Sequence, residues 1–395
     1  MKGSIVMEQD TQLQIQGGPE PVRDPHRSLH SETGARPGEH SGRSGNPLVK
    51  VAGLAWLEFE KPDLDRAERF YADFGFTVAD RTPETLLLRG RWASTACLVV
   101  RRGPRPRFVG PAFQAAARDD LDRLARGTGG TVTAHRGGHG VLLRDPSGYP
   151  VRVIHGVPEL AALPERAALP MNVGNFRQSG ARPARGNATQ RPARRPAQIQ
   201  RLGHVVLGTT RFGAALDWYL DILGLIVSDF LYLDGQRDRG PAMAFIRCDL
   251  GTVPADHHTL AMILQPRTEY VHSAYQLTDL DEVAASGAYL RERGYRHAWG
   301  LGRHIQGSQI FDYWRDPDRL MFEHYTDGDM FDAAMEPGWA PLSASGLAQW
   351  GPKATAEFTG THDPRVVAAA IKALADKGNE IDLHALRGLI KAMGS

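Results

Sequence analysis

Apolar and polar positions along the chain fall into two blocks of similar size, and each block repeats one pattern. Val49–Glu60 is an apolar, β-rich run, followed by a helical pattern (DLDRAERFYADFG) that stops at Gly75. Short strand-like runs follow near Thr77–Asp80, Leu86–Arg89 and Ala96–Val100. The unit then recurs, with Phe108–Ala116, a helix around Asp119–Arg126, and strands at Thr131–His135, Gly140–Leu143 and Pro150–Ile154. The second block opens likewise, with a strand at Leu202–Thr209 and a helix through DWYLDILG to Gly224. After its own strand-like runs, Val271–Leu277 leads to a helix around Asp281–Arg293 and strands near Ile310–Trp314 and Leu320–Tyr325. Apolar residues at i, i+3 and i+4 predict one buried face per helix, and the glycine after each is the expected stop. Both blocks carry Arg-Asp-Pro before their last strand, Arg144–Pro146 and Arg315–Pro317, where proline enforces a turn. Four βαβββ units in two pairs predict an α+β fold of paired βαβββ modules in two domains.

The flanking segments look different. Residues 1–47 are rich in Gly, Pro, Ser, Arg and His without a hydrophobic period, which predicts a disordered arm. The domains are expected at 48–157 and 199–330, separated by a linker at 158–198 whose Arg- and Pro-rich part carries no acid and reads as exposed. The tail, 331–395, holds amphipathic helix patterns at Val366–Lys377 and Ile381–Met393. Among 395 residues, 47 Lys and Arg stand against 45 Asp and Glu, a balance that argues against a nucleic-acid scaffold or a polybasic membrane binder. Cys97 and Cys248 are too few for a disulfide framework or a thiolate zinc site. With no apolar run long enough to span a bilayer and no signal-like start, the expected location is the cytoplasm.

Histidine is unevenly spread: seven of the 15 fall in the second block. His204 interrupts the strand LGHVVL, His272 starts the strand VHSAYQL, and Glu323 sits in LMFEHY. Each alone is ordinary, but together they fall on equivalent strands of paired repeats. Two imidazoles and one carboxylate on one face, with coordination positions left open, form the facial triad of non-heme Fe(II) oxygen chemistry. The first block is an internal control. Alignment on the helices and Arg-Asp-Pro turns puts Trp56 opposite His204, Phe113 opposite His272 and Arg152 opposite Glu323, so the first domain is expected to be metal-free.

From Leu202 to Asp329 the chain resembles the type I extradiol catechol dioxygenases of the vicinal oxygen chelate superfamily. The matching segments are GHVVL with His204, DHHTLAM with His257 and His258, VHSAYQLTDLDEV with His272, GRHIQGSQIFDYWRDP with His304 and Tyr313, and FEHYTDGD with Glu323. The resemblance is architectural only over residues 49–157. It implies that His204, His272 and Glu323 bind Fe(II), with Mn(II) in some members. It further implies that His258 is the acid–base residue, and that His304 and Tyr313 hydrogen-bond the substrate. The implied reaction is ring cleavage of a substituted catechol by O2, with no nucleic-acid or membrane partner and a homo-oligomeric assembly. A glyoxalase-type metal-dependent isomerase or lyase is the rival reading, disfavoured because that chemistry normally uses an additional carboxylate ligand. A metal-free protein that binds an aromatic ligand is a third. His257 is expected to be exposed beside its partner, and His297 and His324 at the surface.

Overall fold

The computed structural model describes residues 27–172, 174, 182–359 and 364–394. After β1 (Glu32–Thr33), the N-terminal module runs β2 (Val51–Lys61), α1 (Leu64–Phe74), β3 (Thr77–Arg81), β4 (Thr85–Arg89) and β5 (Leu98–Arg102). It then repeats with β6 (Arg107–Ala115), α2 (Arg118–Thr128), β7 (Val132–His135), β8 (Gly138–Arg144) and β9 (Pro150–His155). The C-terminal module begins with β10 (Arg201–Thr209), α3 (Phe212–Leu223), β11 (Leu225–Tyr232), β12 (Pro241–Cys248), the short β13 (Ala255–Asp256) and β14 (Leu260–Leu264). Its second half is β15 (Glu269–Gln276), α4 (Leu280–Glu292), β16 (Arg296–His304), β17 (Ile310–Arg315) and β18 (Met321–Thr326). Beyond these lie β19 (Met330–Phe331), β20 (Gly338–Pro341), β21 (Ala348–Trp350) and the helices α5 (Ala356–Thr359), α6 (Pro364–Ala375) and α7 (Leu383–Gly394).

The α+β fold of paired βαβββ modules is therefore the one expected. The N-terminal sheet has the order β3-β4-β5-β2-β6-β9-β8-β7, and the C-terminal sheet repeats it as β11-β12-β14-β10-β15-β18-β17-β16, extended by β20 and β1 at one edge and β21 at the other. Strand β16 was missing from the sequence expectation. Its run RHAWGLGRH is polar and glycine-broken, so neither alternation nor β-branched residues mark it. The helix starts and stops do follow sequence chemistry. The Asp63 side chain caps α1 by accepting from Arg66 N–H, Asp279 caps α4 likewise, and Gly75 and Gly224 end α1 and α3 at positive φ.

The modules share one hydrophobic core. Phe322 on β18 meets Phe70, Tyr71 and Phe74 of α1 with ring centroids 5.4–5.9 Å apart. Next to it His324, expected at the surface, is fully buried: its Nε2 donates to Phe74 O at 2.7 Å and its ring stacks on Phe74 at 3.8 Å. Burial pushes this imidazole down to about 3, so it is neutral at pH 7. His297 is also not simply a surface residue, since it is half-buried against Trp314 and bonds Asp312 Oδ1 at 2.6 Å.

The two Arg-Asp-Pro turns serve a purpose that their sequence does not announce. Asp316 and Asp145 each fold the turn by accepting backbone N–H bonds, Asp316 from Asp318 and Leu320, Asp145 from Tyr149. The second oxygen of each reaches the other module. Asp316 Oδ2 accepts from the buried Lys61 ammonium, which also lies 3.0 Å from Asp318, while Asp145 Oδ2 accepts from Tyr219 Oη at 3.1 Å. A 2.7 Å Ser147–Thr209 hydroxyl contact completes the second latch as Asp318–Lys61 does the first.

Of the expected arm, residues 1–26 lie outside the described residues, while 27–47 run along the C-terminal module. There β1 pairs with β20, and Arg237 binds Glu39 and Glu32. The described linker residues contact α4, with Gln190 bonding Asp281 at 2.9 Å and Gln198 N–H bonding Glu282 at 2.7 Å. Among the described residues no helix is long and apolar enough to cross a membrane.

Lys61→Met would leave Asp316 buried and unpaired, which costs about 3–5 kcal/mol. Tyr219→Phe removes one neutral donor and should cost about 1 kcal/mol. Urea unfolding of both variants checks the pair, and a Lys61→Met loss no larger than that of Tyr219→Phe would refute the latch.

Candidate active site

Strand register brings the polar residues of the second block together. On β10 and β15, His204 lies opposite Ala274 and Val206 opposite His272, while on β15 and β18 Ala274 lies opposite Glu323. The three side chains therefore leave neighbouring strands into the same interior. One candidate ligand atom from each lies within 4.8 Å of the others, and all three residues are buried. His204 Nε2 stands 3.3 Å and His272 Nε2 3.2 Å from Glu323 Oε2. Neither approach makes a directed hydrogen bond, so both carboxylate oxygens of a residue with no solvent exposure lack a hydrogen-bond partner.

A buried carboxylate without partners is expensive unless a cation is nearby. Burial opposes ionisation of Glu323, yet the two imidazoles outweigh it and hold the carboxyl well below its ordinary range. Burial also lowers His272, keeping it in the neutral form that can ligate a metal. The orphaned oxygens and the mixed N/O donor set thus fit a divalent transition metal.

The other expected residues line the same space. His258 is buried with its ring 3.9 Å from that of His204, and burial together with the surrounding imidazoles lowers it well below the usual histidine range. His304 Nε2 lies 2.8 Å from Tyr313 Oη and 3.9 Å from Glu323 Oε1. Burial takes His304 down to about 4 and raises Tyr313 well above 10, so both are neutral at pH 7.

Three features escaped the sequence reading. His257, expected at the surface, has no exposure: it bonds Asp229 through Nε2 and His258 through Nδ1. Trp299, on the unforeseen strand β16, stacks on Tyr313 at 5.7 Å and 9°. The tail supplies part of the wall, since Phe358 packs against Trp299 at 4.6 Å and Tyr313 at 4.9 Å. That segment is anchored by Trp299 Nε1–H donating to Pro352 O at 2.8 Å and by Arg315 binding Glu357. Only the adjacency of the two histidines after Asp256 could have signalled the first, and nothing local marks the others.

The N-terminal module holds different chemistry at the same register. Trp56 and Arg152 both oppose Ala112, as His204 and Glu323 both oppose Ala274, so those two expected correspondences hold. The third is corrected: Gly110 faces Glu58 as His272 faces Val206, so Gly110 rather than Phe113 stands at the His272 position. A Cβ on Gly110 would come 1.9 Å from Pro150 O, which leaves no space for a longer side chain there. Glu58 occupies the interior instead, accepting from Trp56 Nε1–H at 3.2 Å and lying 3.5 Å from Arg152 Nε.

Residues 201–324 match the model of the Glyoxalase/Bleomycin resistance protein/Dioxygenase superfamily. The chain is 31% identical over 336 residues to metapyrocatechase 2 of Cupriavidus necator, covering 83% of this chain and 96% of that one. The chain belongs to the type I extradiol dioxygenases. It is also 23% identical over 327 residues to an iron-dependent extradiol dioxygenase of Rhodococcus jostii strain RHA1, covering 77% and 97% of the two chains. In fold, this extradiol dioxygenase is similar to an extradiol ring-cleaving dioxygenase from B. fuscum, with TM-score 0.62, 19% identity, and coverage of 81% and 84%.

His204→Ala or Glu323→Ala should abolish tight Fe(II) binding, whereas Trp56→Ala should leave one bound metal per chain and reduce only stability. Metal analysis after anaerobic loading reads the difference, and equal loading of all three variants would refute the site.

Proposed function

We propose that the chain uses Fe(II) to cleave the aromatic ring of a substituted catechol with O2, beside the two hydroxyl-bearing carbons. The observation that carries this reading is the buried His204–His272–Glu323 cluster with its unpartnered carboxylate, set among neutral hydrogen-bonding side chains and aromatic walls. Mn(II) suits the same donor set and is the alternative ion. Bound there, the metal would supply chelation of both catechol oxygens, lower their pKa and provide the redox chemistry for O2.

The protein's own residues do the rest. Burial and neighbouring imidazoles keep His258 neutral, so it can take a proton from a catechol hydroxyl and return it later in the reaction. Tyr313 stays protonated and can donate a hydrogen bond, while its bond to His304 orients both groups. Trp299, Phe311 and Phe358 exclude water and offer flat surfaces to a ring, with Phe311 stacked on His304 at 4.0 Å. Holding the ring against the metal position supplies rate by proximity rather than by a strong base. We read the N-terminal module, spanning residues 48–157, as a metal-free brace and the 199–330 module as catalytic. The expected partners are a small catechol and O2, acting on a homo-oligomer in the cytoplasm.

Anaerobically prepared, Fe(II)-loaded protein given a panel of catechols should consume O2 and form a yellow ring-opened product. No uptake with iron bound would move the reading to an isomerase or lyase. His258→Ala should keep iron but lower kcat by about 100-fold or more, as loss of a general acid–base typically does. Unchanged turnover would remove His258 from the mechanism.

A further inference from the structure

We propose that His257 and Asp229 act as positioning residues that hold His258 in the tautomer with its lone pair on Nε2, a proposal that rests on the ring-cleavage reading above. The geometry is a linear chain of hydrogen bonds. Asp229 Oδ2 lies 2.6 Å from His257 Nε2, and His257 Nδ1 lies 3.0 Å from His258 Nδ1. Asp229 Oδ1 accepts from Ser31 Oγ. A carboxylate can only accept, so His257 carries its proton on Nε2. With Nε2–H given to Asp229, His257 presents Nδ1 as the acceptor, and His258 donates to it from its own Nδ1–H. The remaining nitrogen of His258, Nε2, is left as the acceptor. Either ring flipped to the other tautomer would set two lone pairs or two N–H groups against each other in a buried space.

The surroundings hold the chain of groups in place. His257 has no exposure and sits between Phe245 at 5.3 Å and Phe331 at 5.6 Å. Asp229 lies at an irregularity in the β11–β12 register, after which the strand pairing resumes. Gly338 opposite it is required, because a Cβ there would come 2.1 Å from Asp229 Oδ1 and 2.5 Å from Ser31 Cβ. Ser31 comes from the N-terminal arm, whose nearby Leu29 O accepts from Gln306 Nε2–H at 2.8 Å. An arm outside both modules therefore closes the outer end of this chain. Orienting a catalytic imidazole through its second nitrogen is a known way to fix its tautomer, and losing such outer partners commonly costs about 10–100-fold.

Two measurements test this. In metal-free protein, nitrogen NMR of the histidine rings should show His258 protonated at Nδ1, and a proton at Nε2 alone would overturn the proposal without reference to activity. In iron-loaded protein, His257→Phe should lower kcat about 10–100-fold with KM and iron content little changed. His257→Gln can still donate to Asp229 and accept from His258, and it should recover most of that loss. In a His258→Ala background, His257→Phe should lower kcat no further. Wild-type kcat in His257→Phe, no recovery by Gln, or an equal loss in the His258→Ala background would each overturn the proposal. Absence of ring cleavage by wild-type enzyme would instead strike the functional reading and leave the NMR result standing.

Discussion

The site depends on how one strand, β18, is held between two environments. Its inward face carries Glu323, and the residues on either side, Phe322 and His324, point into the N-terminal module. The strand is thus pinned before Glu323 by the Asp316–Lys61 latch, beside it by the aromatic cluster on α1, and after it by the His324–Phe74 bond. A carboxylate kept out of water next to two imidazoles needs this restraint, because a free strand would rotate it toward solvent. The N-terminal module thus lends rigidity to a cluster whose three candidate ligands all lie in the other module.

The two modules share a register and a latch but diverge in the interior. In the N-terminal module the row across three strands ends in Trp56 and Arg152, and Glu58 supplies the countercharge between them. There the cation and the carboxylate offset each other, although Arg152 Nε makes no hydrogen bond. In the C-terminal module the same row ends in His204 and Glu323, with Val206 where Glu58 would stand, so its carboxylate has imidazoles nearby but no hydrogen-bond partner. Duplication of the fold therefore keeps the scaffold, and a handful of interior substitutions decides which copy is left with an unmet demand for a cation.

What could be read from the chain reflects the range of the interactions involved. The repeat, the helix stops and the strand positions of the three candidate ligands are local, because strand alternation and helix period are written within a dozen residues. Even so, the alignment slipped at Phe113, although the β2–β6 ladder is regular from Trp56 to Glu58 and Gly110 precedes the start of α2 by the same spacing as His272 precedes the start of α4. Strand β16 failed for a different reason: glycine and polar residues hide a strand that is defined by its neighbours β17 and β21. His257, His324 and Phe358 were misjudged or missed because their partners lie 28, 250 and tens of residues away. Hydrogen bonds between distant segments leave no period to detect.

The same distance argument explains why the outer parts of the site come from the chain's extremities. Ser31 reaches Asp229 from the N-terminal side, and Phe358 reaches Trp299 and Tyr313 from the C-terminal side. A βαβββ sheet presents its ligands from strands, which fix position well but leave the interior open at its ends. Closing those ends with the sheet itself would need longer strands and would shut out the substrate. Segments outside the repeat can cover the opening without that cost. They can also vary without disturbing the candidate metal ligands, because Ser31 and Phe358 lie on segments that the repeat does not constrain.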